Sequence, residues 1–294
     1  MRGSPGRWVS EVASLFIVST PIGNLGDITY RAVEVLKAAD VILAEDTRRS
    51  GVLLRHYGIG GRLVSAHEHN ERSRAGTVVE MLREGRDVAL ITDAGTPLLS
   101  DPGARIVREV VEAGFEVVPV PGASALLAAL VASGISAERF AFYGFIPRKG
   151  GRRTELLEEI AGLPYAAVLY ESPNRTAELL RDLAGAAGAE RRVAVGRELT
   201  KMHEEFFRGT AEEAAARFEE REVRGEIVVV VEGRPEDAET EAETDALAAR
   251  SIAQALMAQG MSPSAVAKEL RRRLGIARNA AYELAQEAAE EGGG

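Results

Sequence analysis

The sequence predicts an α/β protein made of two α/β domains and a small C-terminal helical unit. Three observations lead to this prediction. Short apolar runs alternate with segments of helical periodicity between residue 14 and about residue 235. The acidic segment 232–245 then interrupts the pattern and has the composition of a linker. Beyond it apolar residues recur at helical spacing, so we predict domains at 14–120 and 121–235 and a three-helix tail at 245–291.

The bulk composition narrows the possible classes of function. The chain has 294 residues, 46% of them hydrophobic and none of them cysteine, and a formal net charge of −9. The missing cysteines exclude disulfides, thiolate catalysis and cysteine-ligated zinc. No apolar run approaches the roughly 20 residues that cross a membrane, and we see no apolar core of a signal peptide, so we expect a cytoplasmic protein. The acidic balance neither supports nor excludes RNA binding, because the basic residues form local groups.

The stretch 15–50 predicts a strand, a loop rich in glycine, a helix and a second strand. The first strand runs into the Pro-Gly loop 21–26, and Asp27 follows where a helix N-cap is expected. The second strand ends in an acidic loop that begins at Glu45. Ligands bind outside the carboxyl ends of strands in open parallel sheets, so both loops are candidate site loops. A simple tight turn is the alternative interpretation of the first loop.

The rest of the first domain continues the alternation. Thr47 can cap a second helix, and Pro102 suits the first turn of the fourth. Strands are predicted at 63–65, 87–92 and 116–120, which gives five strands in all. The strand at 87–92 is almost wholly apolar, as expected when helices cover both faces of a parallel sheet.

The second domain and the tail are predicted in the same way. An apolar helix at 124–132 is followed by strands at 140–145, 166–170, 192–195 and 226–231 with helices between them, and an extended piece runs through residues 206–207. Three helices at 246–259, 262–274 and 278–289 make up the tail, a pattern compatible with a helix-turn-helix or with a dimer-stabilising bundle.

Nine sequence blocks carry a resemblance to a known family. They are TPIGNLGDI, AEDTR, HEHNE, TDAGTPLLSDPG, VPVPGASA, YGFIPRKGGRR, YESPNR, GRELTKMHEE and RGEIVVVVEG, in this order along residues 20–233. The chain resembles the bacterial small-subunit ribosomal RNA cytidine 2'-O-methyltransferases of the tetrapyrrole methylase-like superfamily. Ala123 and Asn174 depart from the pattern, where Pro and His are expected.

The resemblance implies a fold, a cofactor and an acceptor. The implied fold is of the tetrapyrrole methylase type, with a parallel sheet in the N-terminal domain and a mixed sheet in the C-terminal domain. The implied methyl donor is S-adenosylmethionine, bound in the cleft between the domains. Its predicted contacts are Pro21, Gly23, Asp93, Ala94, Gly95, Thr96, Pro97, Ser124, Ala125, Tyr170, Leu199 and Glu226. The implied acceptor is a cytidine ribose in 16S rRNA, in the decoding region of the small ribosomal subunit, and we expect a homodimer.

The chemistry of a ribose hydroxyl suggests which further residues matter. It is a weak acid, so a carboxylate or imidazole within hydrogen-bond reach could take its proton. The catalytic candidates are Glu45, Asp46, Arg48 and His67, and the loops at the strand ends also offer Glu68, His69, Glu71 and Asp101. Two alternating histidines without a third ligand make a poor metal site, so we expect no metal.

Basic side chains supply candidate phosphate contacts. These are Arg148, Lys149, Arg152 and Arg153 in one group and Arg271, Arg272 and Arg273 in the tail. Two other functions remain open: a precorrin-type tetrapyrrole methyltransferase, which has no use for the tail, and a non-enzymatic ribosome-assembly factor. The survival of every cofactor-loop block argues against the assembly factor.

Overall fold

The computed structural model describes residues 13–67, 70–220, 223–235, 249–258, 261–274, 276 and 278–291. The chain divides into two compact units, residues 1–233 and residues 234–294. The first unit contains both predicted sheets, with five strands each. His69, Glu68 and most of the predicted linker lie outside the described residues. The subdivision of the first unit at residue 120 remains our proposal.

The first sheet is wholly parallel and has the strand order β3-β2-β4-β1-β5. Its strands are Ser14–Val18 (β1), Val41–Ala44 (β2), Arg62–Ser65 (β3), Val88–Ile91 (β4) and Glu116–Val120 (β5). Its helices are Tyr30–Ala38 (α1), Thr47–His56 (α2), Glu71–Arg83 (α3) and Ala104–Glu112 (α4). Strands β2 and β4 are buried along their whole length, because α1 and α2 cover one face of the sheet and α3 and α4 the other.

The second sheet is mixed and has the order β6-β7-β10-β8-β9. Its strands are Phe140–Phe145 (β6), Ala166–Glu171 (β7), Arg192–Arg197 (β8), Glu205–Thr210 (β9) and Ile227–Val231 (β10). Its helices are Ala125–Ala132 (α5), Gly151–Gly162 (α6), Thr176–Ala187 (α7) and Ala211–Glu219 (α8). The five residues of β10 are fully buried at the centre, with α5 packed on one face and α6 to α8 on the other.

Three helix starts differ from the prediction. Helix α1 is capped by Thr29, and Asp27 lies instead in a 3₁₀ turn at Leu25–Asp27. Helix α2 is capped by Asp46, whose carboxylate accepts a hydrogen bond from the Arg48 N–H. Helix α4 begins after Gly103, which has a φ of 127°, so Pro102 lies outside the helix. In each case a local side-chain or turn geometry sets the start one to three residues away from the predicted position.

The second unit is a small helical cluster. Its helices are residues 249–258 (α9), Pro263–Leu274 (α10) and Arg278–Glu291 (α11), close to the predicted tail helices. Ala253, Val266, Leu270, Ala281 and Ala285 form its core. None of the described helices in either unit is long and apolar enough to cross a membrane.

Candidate active site

Three loops meet at the carboxyl edge of the first sheet, after β1, β4 and β5. Thr20 and Gly95 exchange backbone hydrogen bonds of 2.8 and 3.1 Å, so the first two loops form a short bridge. The Thr96 hydroxyl lies 3.1 Å from the Ser19 hydroxyl and donates to the Ala123 carbonyl at 3.1 Å. Gly95 has a φ of 87°, which a residue with a side chain rarely adopts. The loops are therefore held to one another by backbone groups and short hydroxyls.

A cavity of about 370 Å³ lies between these loops and the second sheet. Its size is within the range of small-molecule and cofactor sites. It is lined by Ile22, Ala94, Gly95, Thr96, Leu99, Ser100, Asp101, Ser124, Ala125, Phe145, Tyr170, Glu171, Ser172, Pro173, Gly225, Glu226, Ile227 and Val228. The first half of this unit, which contains the first sheet, and the second half, which contains the second sheet, therefore line the same cavity.

The wall contains seven of the twelve predicted cofactor contacts. They are Ala94, Gly95, Thr96, Ser124, Ala125, Tyr170 and Glu226. Pro21, Gly23, Asp93, Pro97 and Leu199 do not line the cavity. Leu199 is instead buried in the core beneath α5, and Asp93 accepts hydrogen bonds from the Asp46 N–H at 3.0 Å and from Arg49 at 3.3 Å. The cofactor role of these five residues stays a prediction.

Gly23 has a different neighbour from the one predicted. A methyl group added at Gly23 would stand 2.4 Å from Cγ of Lys201 and 2.9 Å from the Thr200 hydroxyl. Lys201 in turn bridges Glu198 at 2.7 Å and Glu226 at 3.2 Å. The absent side chain at Gly23 therefore makes room for a loop of the second half, and that loop reaches the cavity wall through Glu226.

Aromatic side chains form the wall on the side of the second sheet. The Tyr170 hydroxyl accepts a hydrogen bond of 3.2 Å from the Leu126 N–H in the first turn of α5. Its ring meets Phe142 and Phe145 edge to face, at centroid distances of 4.9 and 5.6 Å. Phe145 is 57% exposed, which is unusual for a phenylalanine and leaves one surface of its ring open beside the cavity.

Three acidic side chains lie close together where β2 and β4 end. Burial raises the pKa of Glu45, and the nearby charges of Asp101 and Asp93 raise it further. Burial likewise raises the pKa of Asp101, although a hydrogen bond from Thr92 opposes part of this rise. The Thr92 hydroxyl also lies 3.4 Å from Glu45. Of these three carboxylates, Asp101 is the one on the cavity wall.

The other predicted catalytic residues have local structural roles. Asp46 caps α2, and the Arg48 side chain donates to it, which lowers the pKa of Asp46 to about 2. Asn70 accepts a hydrogen bond from the His67 N–H at 2.9 Å and lies 3.2 Å from the imidazole Nε2. None of these three residues lines the cavity, and neither does Glu45. Their part in catalysis stays a prediction.

The two remaining wall carboxylates are each paired with a cation. The Glu171 side chain is fully buried and lies 2.9 Å from Arg175. Glu226 is 3.2 Å from Lys201, as described above. Both carboxylates therefore already have an ion-pair partner within the protein. No cation is within ion-pairing distance of Asp101 among the described residues.

One predicted RNA contact needs correction. Arg153 is buried, and it donates to Asp182 at 2.7 and 2.9 Å and to the Pro147 carbonyl at 2.9 Å. It fixes the start of α6 to α7, so it is not a surface cation, and we withdraw it from the RNA-binding set. The sequence did not indicate this role, because a run of basic residues does not show which of the side chains is buried.

The other basic residues lie on the surface. Arg148 and Lys149 are exposed in the turn after Phe145, and Arg152 is 3.3 Å from Glu155 on α6. In the tail, Arg271, Arg272 and Arg273 are exposed on α10. Arg272 and Arg273 both pair with Glu269, at 2.6 and 2.7 Å.

Sequence reasoning missed much of the wall on the second half. Phe145, Glu171, Ser172 and Pro173 were not predicted as site residues, although YGFIP and YESPNR were among the matching blocks. Ala123, one of the two departures, contributes only its carbonyl to the loop bridge. Asn174 is exposed in a 3₁₀ turn, and nothing in the structure explains its difference from the expected histidine.

The fold and its cleft define a known class of protein. Residues 14–215 match the model of the family described as tetrapyrrole (corrin/porphyrin) methylases. Two solved structures are similar in fold, with TM-scores of 0.58 and 0.54 and identities of 21% and 20%. The first is a cobalt precorrin-4 methyltransferase (74% of this chain, 94% of that chain). The second is the uroporphyrin-III C-methyltransferase of Thermus thermophilus complexed with S-adenyl homocysteine (75% and 97%).

Curated relatives are considerably more similar in sequence. The ribosomal RNA small subunit methyltransferase I of Synechocystis sp. is 43% identical over 279 residues, covering 95% of this chain and 99% of the relative. The proteins of that name from Micromonospora olivasterospora and Bacillus subtilis are 43% and 46% identical, covering 99% and 76% of this chain and 93% and 76% of the relatives. The chain therefore belongs to the ribosomal RNA small subunit methyltransferase I family, within the tetrapyrrole methylases.

Proposed function

We propose that this protein transfers the methyl group of S-adenosylmethionine to the 2'-hydroxyl of a cytidine ribose in 16S ribosomal RNA. The observation that carries the proposal is the cavity that the glycine loop at Gly95 shares with the open aromatic wall at Phe145, in a chain of this family. Such a cavity gives the donor and the acceptor nucleoside a common space. A methyl transfer needs this alignment more than it needs reactive side chains.

The residues present fit the methyl donor. The cavity is of cofactor size, its wall is mostly apolar, and Gly95 lets the backbone approach closely. When bound, S-adenosylmethionine supplies an activated methyl group on a sulfonium, which is a good leaving group. Ala94, Gly95, Thr96, Ser124 and Ala125 would hold it, and Ser124 presents the positive end of α5 toward the cavity.

The acceptor RNA would approach from the side of Phe145. An open aromatic ring beside the cavity suits stacking of an unpaired base, a contact worth about 1–3 kcal/mol. Arg148 and Lys149 follow within four residues and are exposed, so they can contact flanking phosphates. Phosphate contacts position an RNA without reading its sequence. In this proposal the selection of cytidine therefore depends on the shape of the cavity.

The remaining parts of the proposal concern partners and location. We propose that the acceptor is the small ribosomal subunit, that the protein works as a homodimer in the cytoplasm, and that the exposed tail residue Arg271 contributes an RNA contact. Binding energy from such remote contacts would position a weakly nucleophilic hydroxyl. The tail is expected to matter for acceptor use and to leave donor binding unchanged.

The test is methylation of small subunits that lack the modification, with the methyl donor carrying an isotopic label. After digestion to nucleosides, mass spectrometry should find the label in 2'-O-methylcytidine. A second arm uses protein truncated after residue 239 and a short naked RNA. We expect slower labelling of subunits by the truncated protein and weak labelling of the short RNA by both.

Three outcomes would contradict the proposal. Label on a base instead of the ribose would mean a different acceptor atom. Label in a reduced tetrapyrrole and not in RNA would favour the precorrin-type function. Donor binding without any transfer would instead favour an assembly factor that retains only the fold.

A further inference from the structure

A neutral hydroxyl cannot end as a methyl ether without losing its proton. The new bond joins the hydroxyl oxygen to the methyl carbon, the carbon–sulfur bond breaks with its electron pair remaining on sulfur, and the O–H proton must pass to a base. A positioned base typically contributes 10²- to 10⁴-fold to such a step. The proposed function therefore implies a proton acceptor on the cavity wall, on the assumption that the acceptor is a hydroxyl.

We propose that Asp101 takes this proton. Among the described residues that line the cavity, the side chains able to accept a proton as carboxylates are Asp101, Glu171 and Glu226. Glu171 is paired with Arg175 and Glu226 with Lys201, whereas no cation of the described residues lies within ion-pairing distance of Asp101. It is also the wall carboxylate supplied by the first half, and Tyr170 and Phe145 line the same cavity.

The backbone holds Asp101 in one place. Leu98 and Ser100 have φ angles of 73° and 67°, which cost about 1 kcal/mol or more each and persist only when the surroundings impose them. Gly144 lies in the bulge of β6, where a methyl group would stand 2.6 Å from the Ser100 hydroxyl oxygen. The second half thus packs closely against the residue before Asp101.

The other side of the loop is held by a carboxylate that sequence reasoning had offered as a catalytic candidate. Glu71 accepts hydrogen bonds from the N–H groups of Gly103 and Arg105, at 3.1 and 2.7 Å. It therefore closes the turn that begins α4. With both flanks fixed, Asp101 is presented to the cavity by a rigid turn, as a proton acceptor requires.

The charges that face Asp101 favour a stronger base. Asp93 and Glu45 are negative neighbours on the ends of β4 and β2, and Arg49 is directed to Asp93 at 3.3 Å. Tyr170 faces it from β7, and burial raises the pKa of that phenol, so Tyr170 stays protonated near neutrality. Burial raises the pKa of Asp101 as well. The carboxylate is therefore more basic than an exposed aspartate while remaining ionised at higher pH.

The test compares Asp101→Asn with Glu45→Gln, both measured on small subunits under single-turnover conditions. We expect Asp101→Asn to slow methyl transfer by about 10²- to 10⁴-fold. Affinity for S-adenosylmethionine, measured by calorimetry, should stay within about threefold of wild type, which also shows that the variant is folded. Glu45→Gln should reduce the rate by less, because Glu45 does not line the cavity.

The pH profile separates proton transfer from simple positioning. The wild-type rate should fall as pH drops through the raised pKa of Asp101, and Asp101→Asn should lose this acidic limb. Asp101→Glu, which restores a carboxylate, should recover part of the rate. A normal rate and an unchanged acidic limb in Asp101→Asn would overturn the inference, as would a larger loss in Glu45→Gln. If wild-type protein methylates no RNA, the proposed function fails first, and the two failures are distinguishable.

Discussion

The loop at 20–26 and the loop at 93–97 meet different neighbours at the same sheet edge. Gly95 faces the cavity, and its positive φ shapes the backbone there. Gly23 faces Lys201 and Thr200 of the second half and does not touch the cavity. Both glycines permit a close approach, the first to a bound molecule in our proposal and the second to another part of the same chain. At this sheet edge a loop glycine can therefore admit a bound molecule or another part of the chain, and the glycine alone does not say which.

The largest effect that would test this contrast is expected from Gly95→Val. A β-branched residue does not tolerate a φ of 87°, and its Cβ would meet Ile22 at 3.2 Å on the cavity wall. We expect affinity for S-adenosylmethionine to fall by at least about 100-fold, or about 2.7 kcal/mol. Calorimetry measures this directly. Gly85→Val is the matched control, because Gly85 has a φ of 81° and no atom within 4 Å of its added Cβ.

The control variant should lose stability for the same backbone reason and keep its cofactor affinity. If folded Gly95→Val protein bound S-adenosylmethionine like wild type, the loop would have no part in the cofactor site. The contrast between the two loops would then disappear.

A smaller effect is expected from Gly23→Ala. The added methyl group would displace Lys201 and Thr200, and overpacking of this kind costs about 1–3 kcal/mol of unfolding free energy. Cofactor affinity should fall by less than about tenfold, through Glu226 alone. Urea unfolding and calorimetry supply the two values, and Gly60→Ala, with no atom within 4 Å of its added Cβ, is the control. A loss of affinity equal to that of Gly95→Val would show that both loops hold the cofactor.

Lys201→Met tests the neighbour of Gly23 through the pH dependence of the free energy of unfolding. Burial tends to raise the pKa of Glu198, but hydrogen bonds from Lys201 and from the Glu226 N–H outweigh it, and the net pKa is lowered. A lowered carboxyl pKa stabilises the fold above the ordinary value near 4.3, and this contribution disappears as pH falls through the folded-state pKa. Lys201→Met should cost about 1 kcal/mol at pH 7, and less at pH 3, by urea unfolding. If the loss of unfolding free energy in Lys201→Met grew toward low pH, the assigned ion pair between Lys201 and Glu198 would be wrong.

The smallest effect concerns the charged surface next to the aromatic wall. Arg148→Ala and Lys149→Ala should each reduce the slope of log affinity against log salt concentration by about 0.7 for a single-stranded contact. Arg152→Ala is the comparison, since Arg152 already pairs with Glu155 and both side chains are 66% exposed. Filter binding of small-subunit RNA across a salt series measures the slopes. Equal changes of slope in all three variants would mean that the ion pair with Glu155 does not reduce the contribution of Arg152 to RNA binding.

The fold was largely predictable because its signals are local. Apolar runs such as those of β2 and β4 are buried on both faces, and the five-strand prediction for the first sheet and its parallel character are confirmed. The extended piece at 206–207 is part of β9, an edge strand whose residues are mostly half-buried and therefore show no alternating pattern. The fold class implied by the resemblance is also confirmed.

The candidate site was less predictable because its wall is made by tertiary packing. The sequence cannot tell that Arg153 turns inward to Asp182 while Arg148 stays exposed. It also cannot tell that Glu226 is paired with Lys201, or that Asp101 has no such partner in the part of the chain that the structure describes. These distances depend on how the two sheets come together, and no periodicity within one segment records them.

The pairing of β1 also constrains how the chain can be built during synthesis. Strand β1 is the first to be made, yet it pairs with β4 at residues 88–90 and with β5 at residues 116–120. Pairing across such sequence separations is slow, because a long loop must close before any contact forms. A nascent chain that ends before residue 116 would leave one edge of an apolar strand open to other chains. The order of translation thus makes β5 the strand whose arrival covers the open edge of β1.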